Sequence, residues 1–310
     1  MKFTAIRPSL QIVLAALLSF TCTFSHAEAH CPAGLPDLHP RLIAGALLVI
    51  PVTVNGSGPY DFMVDTGSQL NVLDPLLADQ LHLQPQAHVG LVTAASVKEA
   101  SVAVIDSLQA GPYAIQHPLA AVQDLGMLQS ADPGIRGVLG ENFIGHFDLL
   151  IDYRRNLLCF DQAGAIEKDL RWERIPFVPS NHADPDVPFS ERLVISVRLS
   201  DTGARPILLQ IDSGSDGPIL FAGNKDLEKS LLKRAIRPGT EGGEARPPFA
   251  LLPPQDMKLG SRTVRGVPFV TPSSAAANSS DHEEDGVLAT VLFGRIYISH
   301  SKQFIAFDLR

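Results

Sequence analysis

The sequence predicts a mainly β protein built from two similar lobes, and three observations predict it. Short apolar runs are repeatedly broken by Gly, Pro and Asp, the signature of strands and turns. Helical signals are few and short, and no regular alternation of long helices with strands supports a doubly wound α/β sheet. The two halves of the chain also repeat one another in order and in spacing.

The first residues stand apart from that pattern. Lys2 and Arg7 precede the apolar run from Ile12 to Leu18, and small residues follow at Ser25-His26-Ala27-Glu28-Ala29. Cationic start, short apolar core and small-residue exit predict a secretory signal peptide over residues 1–29, with cleavage after Ala27 or Ala29 fitting equally well. The run is shorter than the ~20 residues a bilayer requires, so no membrane anchor is expected after cleavage. Phe20-Thr21 before Cys22 makes a poor lipobox. The expected location is the periplasm or the exterior.

Removing that segment takes Lys2 and Arg7 from 25 basic residues and Glu28 from 33 acidic ones, leaving 23 against 32 and a net charge of -9. With no basic stripe, a nucleic-acid partner is not expected. Cys31 and Cys159 remain, without CxxC or His-spaced zinc patterns, so neither a metal nor a cofactor is expected. An oxidising compartment permits the two cysteines to pair, and the sequence leaves open whether they approach each other.

The remaining chain divides into an N-terminal lobe (residues 30–161), a Pro- and charge-rich connection (162–192) and a C-terminal lobe (193–310). Strands are expected at Leu47 to Val54, Tyr60 to Val64, Val102 to Leu108, Leu149 to Tyr153 and Asn156 to Phe160, with a hairpin turn at Asn55-Gly56. Helices are expected at Asp74 to Gln80 and Lys225 to Ile236. The polar, low-complexity run from Ser273 to Asp285, with His282 among acids, is expected to be a solvated surface loop.

Ile50-Pro51-Val52-Thr53-Val54 leads to Phe62-Met63-Val64-Asp65-Thr66-Gly67-Ser68, and Ile195-Ser196-Val197-Arg198-Leu199 leads to Leu209-Gln210-Ile211-Asp212-Ser213-Gly214-Ser215. The interval from strand to Asp is 15 residues in the first half (50 to 65) and 17 in the second (195 to 212). Downstream, Val138-Leu139-Gly140 is matched with Leu292-Phe293-Gly294, and both apolar pairs are expected to support the Asp loops. Phe143 to His146 is likewise matched with Tyr297 to His300. The offset is 147 at the Asp pair and 154 at the Gly pair.

Asp-Thr/Ser-Gly-Ser after an apolar strand holds a carboxylate on a tight loop anchored in the core. The glycine permits the turn and a close approach by the matching loop. Two such loops facing across a twofold place two carboxyls side by side, where like charges favour sharing one proton. One carboxylate can then activate water while the other, protonated, donates to a carbonyl. A lone Asp-Thr-Gly is an ordinary turn; the duplication carries the inference.

These residues, together with Gly137-Val138-Leu139-Gly140, Phe143 and Ile151-Asp152-Tyr153-Arg154-Arg155, resemble the retropepsin-like aspartic proteases of bacteria, joined in a single two-lobed chain as in pepsin. The resemblance implies an acid-protease fold, two β-barrel lobes with the active cleft between them, and an aspartic endopeptidase acting on peptide or protein substrates as a monomer. It implies Asp65 and Asp212 as the catalytic pair, Thr66 and Ser213 as braces, and Gly67 and Gly214 as the residues permitting the loop geometry. It also implies that Ser68 and Ser215 bond the outer carboxylate oxygens. A substrate-covering flap is implied at Gly90 to Glu99, including Gly90, Val92, Thr93, Ala94 and Ala95, although the tyrosine of the pepsin flap is lacking. Gly239 to Arg246, the corresponding part of the second lobe, is charged and Gly/Pro-rich. The alternative is a peptide- or protein-binding module on the same fold without turnover. Ser299-His300-Ser301-Lys302 has Ser-x-x-Lys spacing but lacks the companion motifs of a serine site, and is expected to be structural.

Overall fold

The computed structural model describes residues 29–92, 97–179, 192–203, 205–221, 234–235, 249–273 and 284–309. Three sheets organise them: a ten-stranded sheet in the first half, an eight-stranded sheet in the second, and a five-stranded sheet to which both halves contribute.

The first half begins with Leu47–Val54 and Ser57–Val64, an antiparallel hairpin in which Ile50 faces Phe62. Its turn residues Asn55 and Gly56 take φ of 50° and 73°, the left-handed backbone that Asn-Gly supplies at least cost. The Ser57–Val64 strand then runs parallel to Ile135–Leu139, with Val64 opposite Leu139. The second half repeats this plan. Val194–Leu199 pairs with Ile207–Asp212, Ile195 facing Leu209, and that strand runs parallel to Gly286–Ala289, with Ile211 opposite Leu288.

This register corrects one part of the expected repeat. The counterpart of Gly137-Val138-Leu139 is Gly286-Val287-Leu288, an offset of 149 rather than 154. Thr290–Leu292 forms a short 3-10 turn, and Phe293 opens a strand of the shared sheet, so Leu292-Phe293 does not support the second Asp loop. The glycine common to both halves stands before the apolar pair. A side chain at Gly137 would run into the Phe62 ring, and one at Gly286 into the Ile219 carbonyl.

In the shared sheet Asp148–Asp152 pairs antiparallel with Phe293–Ser299 across the pseudo-twofold, Leu150 facing Tyr297. Each of these strands also closes a hairpin, with Leu157–Asp161 in the first half and Phe304–Leu309 in the second. The two hairpins superimpose at an offset of 147, and their turns place Asn156 and Gln303 at φ of 55° and 56°. Tyr297 to Ser299 therefore corresponds to Leu150 to Asp152, not to the Phe143 helix. Ser299 to Lys302 is the turn counterpart of Asp152 to Arg155. It serves structure: buried Asp148 accepts from the Tyr297 hydroxyl at 2.9 Å, the Ser301 hydroxyl at 2.8 Å and the Ser301 N–H at 2.9 Å.

Other expectations meet the structure in detail. Pro75–Gln80 is helical, capped by Asp74, whose carboxylate accepts from the Leu77 N–H at 2.9 Å. Val102 to Leu108 is two strands instead of one, Val97–Val104 and Ser107–Ala110, because Ile105 and Asp106 turn to bond Pro118 and His117. Of Lys225 to Ile236 only Arg234 and Ala235 lie within the described residues, so the expected helix falls outside them. The connection contributes Arg174–Pro176 to the edge of the shared sheet. Most of the Ser273 to Asp285 run, His282 included, lies outside the described residues. Its end is anchored, since Glu284 is buried and ion-paired to Arg192 at 2.7 Å. Among the described residues no helix is long and apolar enough to cross a membrane.

One contiguous apolar core spans both halves, from Ile50, Phe62 and Val64 to Ile195, Ile211 and Leu288. Tyr113 belongs to it: its ring packs edge-on against Phe147 and Phe160, and its hydroxyl donates to the Phe160 carbonyl at 2.7 Å. Cys31 and Cys159 form a disulfide, tying the N-terminal segment to the shared sheet beside the Leu38–Leu158 bridge. The bond closes 128 residues of separation. Its removal by a Cys31→Ser/Cys159→Ser double substitution is expected to cost about 2–5 kcal/mol, read by equilibrium denaturant unfolding; unchanged stability would show that the packing alone holds the segment.

Candidate active site

Each Asp of the repeated motif stands at the end of a buried strand whose outer neighbours hold it in the core. Asp65 follows Val64, and its backbone N–H donates to Leu139 of the parallel strand at 3.0 Å. Asp212 closes its own strand opposite Ala289. Both side chains keep part of their surface exposed, while Thr66 and Ser213 beside them are fully buried.

Those two hydroxyl residues lock the loops together reciprocally. The Thr66 N–H donates to Ser213 Oγ, and the Ser213 N–H to Thr66 Oγ1, both at 3.1 Å. Thr66 Oγ1 then donates to the Ile211 carbonyl at 3.1 Å, and Ser213 Oγ to the Val64 carbonyl at 2.9 Å. Each hydroxyl gives and receives across the pseudo-twofold, so no buried group of the four is left unpaired. A Gln210 side-chain N–H adds a bond to the Gly67 carbonyl at 3.0 Å.

Gly67 and Gly214 are required by proximity. A Cβ on Gly67 would lie 2.6 Å from Asp212 Cγ, and one on Gly214 would overlap the Asp65 carboxyl. Their N–H groups turn back to their own acids, Gly67 to Asp65 at 2.8 Å and Gly214 to Asp212 at 2.6 Å. Ser68 and Ser215 differ from expectation. Their hydroxyl protons go to the Leu70 and Gly217 carbonyls at 2.8 and 2.6 Å, and it is their backbone N–H groups that bear on the acids. A hydroxyl carries one proton, and closing its own loop uses it.

Behind the first loop, Asn71 and Asn142 bind it to the helix Glu141–Ile144. The Asn71 N–H donates to Asn142 Oδ1 at 2.7 Å, the Gly140 N–H to Asn71 Oδ1 at 3.0 Å, and the Glu141 N–H to the Ser68 carbonyl at 2.8 Å. These supports, with Gln210, escaped the sequence reading. The Asn two residues before an apolar strand end and the Asn after Gly140-Glu141 carry no pattern of their own. Of the expected flap residues, Gly90 faces Glu99 and Val92 faces Val97 in the hairpin of Ala87–Val92 with Val97–Val104. Gly90 has open space where a Cβ would sit, so packing does not demand it. Thr93, Ala94 and Ala95 lie outside the described residues, as does Gly239 to Arg246.

Burial raises the proton affinity of both acids. For Asp212 the negative charge of Asp65 and a hydrogen bond shared with it add to burial, lifting it well above the usual carboxylate range against the pull of the Gly214 and Ser215 N–H groups. For Asp65 burial is partly offset by the bond to Asp212 and by the Gly67 and Ser68 N–H groups, while Glu141 pushes it up. The pair therefore holds on to one proton after the other has gone. Such a pair offers a proton donor and a proton acceptor side by side.

The family model described as "Aspartyl protease" matches residues 50–143, which contain the first Asp loop and its parallel strand. An aspartic proteinase from Irpex lacteus is similar in structure at a TM-score of 0.55 and 12% identity, covering 88% of this chain and 97% of that one. A retropepsin-like aspartic protease from Rickettsia conorii is 21% identical over 41% of this chain and 90% of that one, at a TM-score of 0.30. None of the curated proteins matches the sequence. The chain has the mainly β fold of the pepsin-like aspartic proteases, and its resemblance is to the aspartic protease superfamily.

Two outcomes follow from the loops. Thr66→Val strands the Ser213 N–H and the Ile211 carbonyl, at about 1–3 kcal/mol for each buried group, whereas Thr66→Ser keeps the bonds; unfolding curves of the two variants should separate accordingly. Asp212→Asn should stabilise the fold at neutral pH. A raised native proton affinity means ionisation costs stability as pH climbs above the ordinary value of 3.8. The gain should be absent below that pH and grow above it until the native acid has titrated. A pH series of melting temperatures reads it, and equal curves at all pH would show that Asp212 is not under strain.

Proposed function

We propose that this chain is an exported aspartic endopeptidase, acting as a monomer on peptide or protein substrates. The observation that carries the reading is the reciprocal Thr66–Ser213 lock with two acids held side by side at its tips. Asp65, ionised, takes a proton from a water molecule, whose oxygen attacks the peptide carbonyl carbon. Asp212 passes its proton to the carbonyl oxygen, so the addition is neutral overall. Collapse of the resulting diol returns a proton to the departing nitrogen and re-forms the acids. No covalent bond to the protein is needed, and every proton moved passes through one of the two carboxyls. The Cys31–Cys159 disulfide supports an oxidising compartment, in keeping with the signal-like N-terminus.

The test is a peptide library incubated with the mature protein across pH, with cuts mapped. Cleavage is expected in acidic to mildly acidic solution, falling at higher pH as the dyad loses its remaining proton. Asp65→Asn and Asp212→Asn should each reduce it by more than about a thousandfold. Peptide binding without cuts at any pH would replace the protease with a binding module on the same fold.

A further inference from the structure

The duplication supplies a reference within the molecule for one residue beside the dyad. Two residues before each Asp the chain carries Met63 in the first half and Gln210 in the second. Alternate residues of a strand share a face. Phe62 and Val64, like Leu209 and Ile211, belong to the main core, so Met63 and Gln210 stand on the face that also presents the acid. The register sets Met63 beside Val138 and Gln210 beside Val287. Val138 pairs in turn with Val72, and Val287 with Ile219. Met63 packs in an apolar cluster with Val72 and Val138, and Ile219 and Val287 cluster together at the related place. An apolar bed therefore exists in both halves, yet one of them receives a buried amide. Burying an amide costs stability unless its polar atoms are bonded. Packing alone favours a methionine at both places.

The amide acts across the pseudo-twofold. Its nitrogen donates to the Gly67 carbonyl at 3.0 Å. A carbonyl can only accept, so Nε2 and not Oε1 faces Gly67. That carbonyl belongs to the peptide unit joining Gly67 to Ser68, which is planar and trans, so its N–H points opposite to its C=O. Holding the carbonyl aims the Ser68 N–H, which lies 3.3 Å from the Asp65 carbonyl and bears on the Asp65 carboxylate. The next peptide unit is held as well. Its Ser68 carbonyl accepts from the Glu141 N–H at 2.8 Å, and the Glu141 carboxylate meets His300 of the other half at 3.0 Å. In the second loop Met63 and Thr290 take the places of Gln210 and Glu141. A thioether has no proton to give to the Gly214 carbonyl.

We propose that Gln210 is a positioning residue for the dyad: from the second half it fixes the Gly67–Ser68 peptide unit, so that the Ser68 N–H stays turned on Asp65 while that acid gains and loses its proton. The proposal rests on the protease reading for its kinetic consequence, and its test separates the two. Gln210→Met in the full mature protein installs the residue that the related place already accommodates. It is expected to fold with a melting temperature within about 4 °C of the wild type. Its kcat should fall about tenfold, the equivalent of one neutral hydrogen bond, with KM within about twofold. In labelled protein the Gly67 carbonyl 13C and Ser68 amide 1H resonances should shift, while those of Gly214 and Ser215 stay in place. Gln210→Leu, equally unable to donate, repeats the measurement if the first variant does not fold. In the wild type itself one Gln210 side-chain N–H should exchange slowly with solvent. Fast exchange of both, or a kcat within about twofold of the wild type in a folded variant, would overturn the proposal. So would a loss of activity that merely follows a loss of melting temperature. Absence of peptide cleavage by the wild-type protein would overturn the protease reading, and the Gly67 and Ser68 resonances would then decide the positioning role on their own.

Discussion

Everything at the centre of this molecule depends on two hydroxyls that each serve the opposite half. Two partly buried carboxyls facing one another repel when both are ionised, and burial raises the cost. Left to themselves, loops carrying them would separate. Thr66 and Ser213 oppose this with four hydrogen bonds in a fully buried place, where an unpaired donor or acceptor costs more than a made bond returns. The lock is therefore closed as a unit: lose one hydroxyl and two groups on the other half are stranded. The acids can then settle the remaining conflict only by keeping a proton between them, which is the state a proton-transfer site needs.

That lock can close only if the two halves arrive in register, and the shared sheet sets the register. Asp148–Asp152 and Phe293–Ser299 pair directly across the pseudo-twofold, and the Tyr297 and Ser301 donors converge on Asp148 to pin the sheet from the second half to the first. The disulfide fastens the N-terminal segment to the outer strand of the same sheet. Stability is thus concentrated behind the acids.

How much of this was legible in the sequence depends on whether a constraint is local. The Asp loops could be read because an apolar strand, an acid, a hydroxyl and a glycine are consecutive, and because the motif occurs twice at an offset that the folded hairpins retain. The second supporting strand could not be read the same way. Gly140 is replaced by Ala289, and a nearby Leu292-Phe293-Gly294 imitates the expected pattern, while the glycine that both halves share precedes the apolar pair. Ser68 and Ser215 look like ligands for the acids in one dimension, yet their hydroxyls have carbonyls of their own loops within reach. Cys31 with Cys159, and Glu141 with His300, are contacts across the whole fold, and no spacing rule announces them.

Duplication also explains where such a site can become asymmetric. Two identical halves would present two acids with the same surroundings, and the division into proton donor and proton acceptor would be arbitrary. The lock tolerates only the exchange of one hydroxyl residue for another, Thr66 against Ser213, so the larger differences enter one layer back. The structure shows them there. Gln210, reaching across to Gly67, has Met63 as its counterpart at the offset of 147, and Glu141 has Thr290. Both changes leave the reciprocal hydroxyls untouched while the residues concerned fasten the first loop. A symmetric scaffold can in this way hold an unsymmetric pair of acids, because the residues that assemble the pair and the residues that differentiate it are different ones.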